Sequence, residues 1–407
     1  MFDGLITSDL RGAADAGSRI RQGLEAVRKH LGMEVAYVSE FTGNLSVLRE
    51  VDAPGLEALI KPGDSRSLDD GYCRHILAGR LPELMADTAD YPLAASMAIT
   101  WEVPIGAHMS VPIRLVDGQA YGMFCCLSPT PNATLNPRDL AVMRVFADMA
   151  AQDISREVEA ERGRAVSRTA TERLIADQQF RFLYQPIMAF AGCQVVGFEA
   201  LCRFTPEPYR SPDKWFNEAA AAGCGELLEL AVLQLALKAL EALPEDTFVS
   251  INASPATILG GGLDAVLEGM PLHRIVLEVT EHAEVADYLA LTSALAPLRA
   301  GGVRLAIDDA GAGYSSMQHI LQLRPDIIKL DMNLTRAVDR DPARRALASA
   351  LSLFAKETNC QIVAEGIETA AEFATLERLG VAKGQGYLLG RPADLATACA
   401  LAGRVLA

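Results

Sequence analysis

Residues 303–309 read Val303-Arg304-Leu305-Ala306-Ile307-Asp308-Asp309, a short and mostly apolar run that stops on two adjacent carboxylates. Six further stretches in the second half of the chain repeat the design, each ending on a metal-seeking or charged side chain. They are Val195 to Glu199, Phe248 to Asn252, Ile275 to Glu278, Ile327 to Asp331, Gln361 to Glu365, and Lys383 to Tyr387 around Gln385. Helix-like segments separate them, so β and α alternate. In a closed parallel barrel every strand points its C-terminal end at one mouth, which gathers residues that are distant in sequence. Those gathered here are mostly oxygen donors, Glu199, Asn252, Glu278, Asp308, Asp309, Glu365 and Gln385, with one cation, Lys329. Carboxylates packed side by side stay ionised only when cations neutralise them. The second half is therefore expected to be an α/β barrel with a hard-metal site.

A chain of 407 residues is expected to form two domains, each able to bury a full core. The barrel would use roughly the last 230 residues, close to the ~250 usual for that fold. The net charge of -15, with no Lys/Arg-rich run, argues against a nucleic acid polymer as partner. A small anionic substrate still fits wherever metal ions reverse the local field. No apolar run reaches the ~18 residues needed to span a bilayer, and the first residues carry no basic segment followed by an apolar core. A cytoplasmic protein without membrane insertion is expected. The eight cysteines include no Cys-x-x-Cys pair and no zinc spacing, and are expected to be reduced thiols, mostly buried.

Up to about Gln22 the chain is rich in Ala, Gly, Asp and Arg and reads as a loose tail running into a helix that includes Leu24 to Leu31. Strand-like stretches follow at Glu34 to Phe41, Leu45 to Glu50, His108 to Leu115 and Ala120 to Leu127. The last two are joined by Val116-Asp117-Gly118-Gln119, and Asp-Gly between alternating apolar runs signals a hairpin. With a short helix at Gly71 to Ala78, this is expected to be an α+β domain on an antiparallel sheet. From Pro137 to about Ala176 the residues Leu140, Met143, Val145, Phe146, Met149, Ile154 and Val158 are spaced near a helical period. A connecting helix over 137–176 is expected to carry a homodimer contact, a solvated connector being the alternative.

Read in order, the second half contains Tyr184-Gln185-Pro186-Ile187, Glu199-Ala200-Leu201-Cys202-Arg203, Asn252, Glu278-Val279-Thr280-Glu281 and Asp308-Asp309-Ala310-Gly311-Ala312-Gly313. It continues with Lys329-Leu330-Asp331, Ala364-Glu365-Gly366-Ile367-Glu368 and Gln385-Gly386-Tyr387. This ordered set resembles the EAL family of cyclic diguanylate phosphodiesterases, named after the tripeptide at 199–201. The resemblance implies a TIM-like (β/α)8 barrel over 177–407 that opens cyclic diguanylate to the linear dinucleotide. It further implies that Glu199, Asn252, Glu278 and Asp308 hold one Mg²⁺ or Mn²⁺ and that Asp308 and Asp309 face a second. Glu365 and Gln385 would complete the set directly or through waters. Paired hard cations about 3.5 to 4 Å apart suit this reaction, since they can clamp both the attacking and the departing oxygen.

By the same resemblance Lys329 would orient the attacking water and offset phosphate charge, and Glu365 would receive the proton. Gln185, Leu201 and Arg203 would contact the substrate, an amide suiting a guanine edge and a guanidinium a phosphate. Glu281, with Gly311 and Gly313, would support the loop after the aspartate pair. Two departures stand out: Ala310 where the family carries Phe, and Trp215-Phe216-Asn217 in place of Phe-Ile-Pro. A receptor that holds the dinucleotide without cleaving it is the alternative; every matching position being filled favours the enzyme. The first domain, 15–155, resembles a GAF sensor module through Asp70-Gly71-Tyr72-Cys73-Arg74, Gly79-Arg80-Leu81-Pro82 and Tyr121-Gly122. Its ligand is left unassigned, and Cys73 reads as a buried thiol.

Overall fold

A computed structural model describes residues 8–280, 285–310 and 315–402, and the chain divides into two compact units, Met1–Gly163 and Arg164–Ala407. In the first, strands β1 (Val35–Thr42), β2 (Leu45–Asp52), β3 (Ser65–Ser67), β4 (Leu84–Met85), β5 (Ala107–Arg114) and β6 (Ala120–Ser128) form one sheet in the order β3-β2-β1-β6-β5-β4. Each adjacent pair is antiparallel. The turn between β5 and β6 is made by Gly118 at φ 82, with Asp117 accepting from the Gln119 N–H. One face of the sheet is covered by the helix Ser8–Leu31 and the start of the helix Pro137–Ala176, through Leu24, Val27, Leu31, Met143, Ala147 and Ile154. The other is covered by Tyr72–Leu77, whose Tyr72, Cys73 and Ile76 pack on Met123 and Cys125.

The stretch up to Gln22, expected as a loose tail, is helical from Ser8. Its composition conceals the start of an apolar stripe: Ile20, Leu24, Val27 and Leu31 recur at helical spacing and face the core. Gly23 lets the Phe146 ring approach to 3.2 Å from where a Cβ would stand. Arg19 and Arg21 pair with Asp153 and Glu50 at 3.1 and 2.9 Å.

In the second unit β7 (Phe180–Ala189), β8 (Gln194–Phe204), β9 (Phe248–Asn252), β10 (Ile275–Thr280), β11 (Arg304–Ala310), β12 (Ile327–Leu330), β13 (Gln361–Ala364) and β14 (Lys383–Gly384) close into an eight-stranded barrel. Neighbours from β8 to β14 are parallel. The expectation of a wholly parallel barrel is corrected by β7, which runs antiparallel to both β8 and β14. The cause is the link from Phe190 to Cys193, which turns at Gly192 with φ 78. Such a link is far shorter than the dozen or more residues a parallel crossover needs.

Alternation along the strands sorts the barrel into two shells. Val249, Ile251, Ile275, Leu277, Leu305, Ile307, Ile328 and Ile362 belong to the core shared with the surrounding helices. Their neighbours Ile187, Phe248, Val276, Ala306, Ile327 and Val363 form a separate apolar layer inside the barrel. The Phe248 ring lies across that interior because Gly197 on β8 has no side chain: a Cβ there would stand 2.6 Å from the ring. Gly197→Ala is expected to cost about 1–3 kcal/mol of stability through overpacking, read from the denaturant midpoint. An unchanged midpoint would show that the ring has room to swing aside. Among the described residues no helix is long and apolar enough to cross a membrane.

Candidate functional site

Two residues beyond the inner apolar layer, period-two alternation turns the next side chains inward as well. They are Ser250, Glu278, Asp308, Lys329 and Glu365, joined by Glu199 from β8 and Gln385 just after β14. Lys329, 1% exposed, is the centre of this polar layer. Its Nζ lies 2.8 Å from Glu278, 2.9 Å from Glu365, 3.0 Å from Asp308 and 3.5 Å from Glu199. Gln385 Nε2 donates to Glu199 at 2.5 Å and to Glu365 at 3.0 Å, and the Ser250 hydroxyl donates to Glu278.

The electrostatics follow from burial and crowding. Burial pulls the Lys329 ammonium down, but Asp308, Glu199, Glu278 and Glu365 together outweigh it and hold the group well above its usual value. Burial pushes Glu278 up to about 8, opposed by Lys329 and assisted by Glu199 and Asp308. Burial, with Asp308 and Glu199, likewise drives Glu365 well above the usual carboxylate range against the pull of Lys329. The layer therefore takes up protons unless other cations enter it.

Consecutive strand residues normally point to opposite faces, which would separate Asp308 from Asp309. Asp309 instead adopts φ 56, and the pairing of β11 with β12 shifts register between Ile307 and Ala310. An aspartate tolerates this left-handed conformation better than most residues. As a result Asp308, Asp309 and Glu365 each bring a carboxylate oxygen within 4.8 Å of the others. If all are ionised, Glu199, Glu278, Asp308, Asp309 and Glu365 exceed the single ammonium by four negative charges, the amount that two divalent cations carry. Gln385 Oε1 is buried without a hydrogen-bond partner among the described residues. An all-oxygen donor set with an orphaned carbonyl fits a hard divalent cation such as Mg²⁺ or Mn²⁺.

Other expected site residues lie around this layer. Asn252 ends β9 at an exposed position, paired in register with Glu278. Leu201 and Arg203 follow Glu199 on the same face of β8, both half-buried, with the Arg203 guanidinium donating to the Cys202 carbonyl at 2.8 Å. Gln185 pairs with Glu199 across the β7–β8 ladder and donates to the Gly390 carbonyl at 3.2 Å. Glu281, Gly311 and Gly313 lie outside the described residues. Ala310 is fully buried, paired with Leu330. Asp331 caps the helix Met332–Thr335 by accepting from the Asn333 N–H. Trp215 packs on Phe204 with Arg210 over its ring. Ser250 was missed by sequence reasoning, although a hydroxyl at the third position of Phe248-Val249-Ser250-Ile251-Asn252 interrupts the inward apolar face. In the first unit Cys73 is buried, and His108 packs edge-on against Tyr72 with centroids 5.0 Å apart.

The EAL domain model matches residues 168–392 and the GAF domain model residues 15–154. A signalling protein of Caulobacter vibrioides is 30% identical over 337 residues, covering 78% of this chain and 39% of that protein. The bifunctional diguanylate cyclase/cyclic di-GMP phosphodiesterase MucR of Pseudomonas aeruginosa is 33% identical over 238 residues, covering 55% of this chain and 34% of that protein. The chain thus spans 34 to 39% of the length of these two relatives. Among solved structures, the PaMucR phosphodiesterase in complex with c-di-GMP matches with TM-score 0.51 and 29% identity, over 56% of this chain and 98% of that one.

Proposed function

Since this chain belongs to the EAL domain family and carries a GAF domain ahead of its barrel, we propose that it is a cytoplasmic phosphodiesterase that hydrolyses cyclic diguanylate to the linear dinucleotide. The observation that carries this reading is the convergence of Glu199, Glu278, Asp308 and Glu365 on one buried ammonium at the mouth of the barrel. Two Mg²⁺ or Mn²⁺ ions, held by Glu199, Asn252, Glu278, Asp308 and Asp309 with Glu365 and Gln385, would supply Lewis-acid activation and charge neutralisation.

The protein's own groups do the rest. Lys329, kept protonated by its carboxylate neighbours, acts as a fixed cation that orients the attacking water and offsets the charge that grows on the phosphate. Glu365 accepts the proton of that water, a role it can fill once divalent cations in the layer keep its carboxylate ionised. Arg203 offers a guanidinium to the second phosphate, Leu201 an apolar contact, and Gln185 an amide to a guanine edge. The GAF domain adjusts the rate through the helix Pro137–Ala176, which also carries a homodimer contact.

Purified protein incubated with cyclic diguanylate and Mg²⁺ or Mn²⁺ should yield the linear dinucleotide, identified by chromatography. Tight binding without any product would favour the receptor reading instead. The same assay on residues 164–407 should give a changed rate or oligomeric state; identical behaviour would remove the regulatory role of the first domain.

A further inference from the structure

The opposite end of the barrel carries the opposite charge. Two residues before the inner apolar layer, β11 and β13 begin with Arg304 and Gln361, Arg274 stands immediately ahead of β10, and β14 begins with Lys383. Arg274 is buried and fully engaged, donating to the carbonyls of Leu240, Leu243, Pro244 and Thr247. Arg304 and Lys383 differ. The Arg304 guanidinium lies over the Phe248 ring, 4.4 Å from its centroid, and Lys383 Nζ is 5.9 Å from the same centroid. Both side chains are half-buried. Lys383 Nζ donates to Gln361 Oε1 at 2.7 Å. Among the described residues no hydrogen bond or close ion pair engages the Arg304 guanidinium. Asp326 favours its charge from a distance, but that carboxylate is held by Arg299 at 3.2 Å and by the Leu305 N–H at 2.8 Å.

Two cations facing one aromatic ring gain from its quadrupole but repel each other, and partial removal from water strengthens that repulsion. An anion between them would turn the repulsion into attraction. A tetrahedral oxyanion suits the pair, because a guanidinium binds it through two parallel N–H donors and an ammonium adds a compact charge. The Gln361 amide, with its oxygen taken by Lys383, keeps its NH₂ as a further donor. We propose that the N-terminal mouth of the barrel binds a small doubly charged oxyanion of the phosphate type between Arg304 and Lys383, at the end opposite the acidic layer. This site stands whether or not the acidic mouth cleaves a nucleotide.

The test titrates inorganic phosphate into the full chain in EDTA, with chloride holding ionic strength constant, and follows the thermal midpoint. EDTA strips divalent cations from the acidic mouth, leaving it no means to attract the anion. Wild type should show a saturable rise in midpoint beyond the chloride control. In Arg304→Gln and Lys383→Met the apparent affinity should fall by at least about tenfold. Without phosphate, Lys383→Met should unfold no earlier than wild type, since it removes the repulsion and keeps the aliphatic stem; this variant remains informative if Arg304→Gln does not fold. A wild-type rise no larger than with chloride, or an equal saturable rise in Lys383→Met, would overturn the assignment.

Discussion

Lys329→Met is expected to lower kcat by at least about 100-fold while changing the affinity for cyclic diguanylate far less. Methionine fills nearly the same volume, so the loss isolates the charge. The ammonium touches four carboxylates between 2.8 and 3.5 Å, and without it Glu199, Glu278, Asp308 and Glu365 face one another with no internal counter-charge. Breaking a buried ion cluster from one side typically costs about 3–5 kcal/mol, so in EDTA the variant should unfold well before wild type. Mn²⁺ should restore most of that loss by taking over the neutralisation. Steady-state kinetics and thermal unfolding with EDTA or Mn²⁺ check both halves. Equal losses in kcat and affinity would reduce Lys329 to a substrate clamp, and a variant as stable as wild type in EDTA would contradict the charge argument.

The second large effect concerns Glu199. Glu199→Ala should abolish divalent-dependent turnover, by more than about 1000-fold, and leave the fold intact. The fold survives because removing one of several mutually repelling carboxylates relieves the layer, and Gln385 Nε2 keeps Glu365 as its acceptor. Product analysis together with Mn²⁺-binding stoichiometry by calorimetry would show turnover and one bound ion lost together. Retained turnover would remove Glu199 from the metal-holding set.

Much of the barrel could be read from the ends of its strands. Oxygen donors placed after Phe248, Ile275, Arg304, Ile327 and Gln361 at strand-like spacing anticipate both the alternation and the side of the barrel where they gather. What stayed hidden needed three-dimensional information. The direction of β7 depends on the short link at Gly192, a local conformation rather than a pattern of residues. The approach of Asp309 to the site depends on one left-handed residue that breaks the alternation from which the rest was inferred. Ser250 escaped because it lies inside β9 rather than at its end and carries no charge to mark it, yet its hydroxyl stands in the same polar layer as Glu278 and donates to that carboxylate. The helix before Gln22 escaped because its apolar stripe is sparse and its partner, Phe146, lies more than a hundred residues away.

The seam between β14 and β7 has a consequence for the order in which the barrel assembles. The β7–β8 hairpin closes across the few residues from Phe190 to Cys193, whereas β14 must pair Lys383 and Gly384 with Ala189 and Met188, almost two hundred positions earlier. Loop-closure entropy rises with the length of the intervening chain, and the short strand β14 contributes few ladder bonds to offset it. The hairpin is therefore an early event and the seam a late one. Gln385 emerges directly from that seam, so its bridge between Glu199 and Glu365 forms only when the ring of strands is complete. A nascent or partly opened barrel lacks the full proposed donor set, so any occupancy by divalent ions would wait on completed folding.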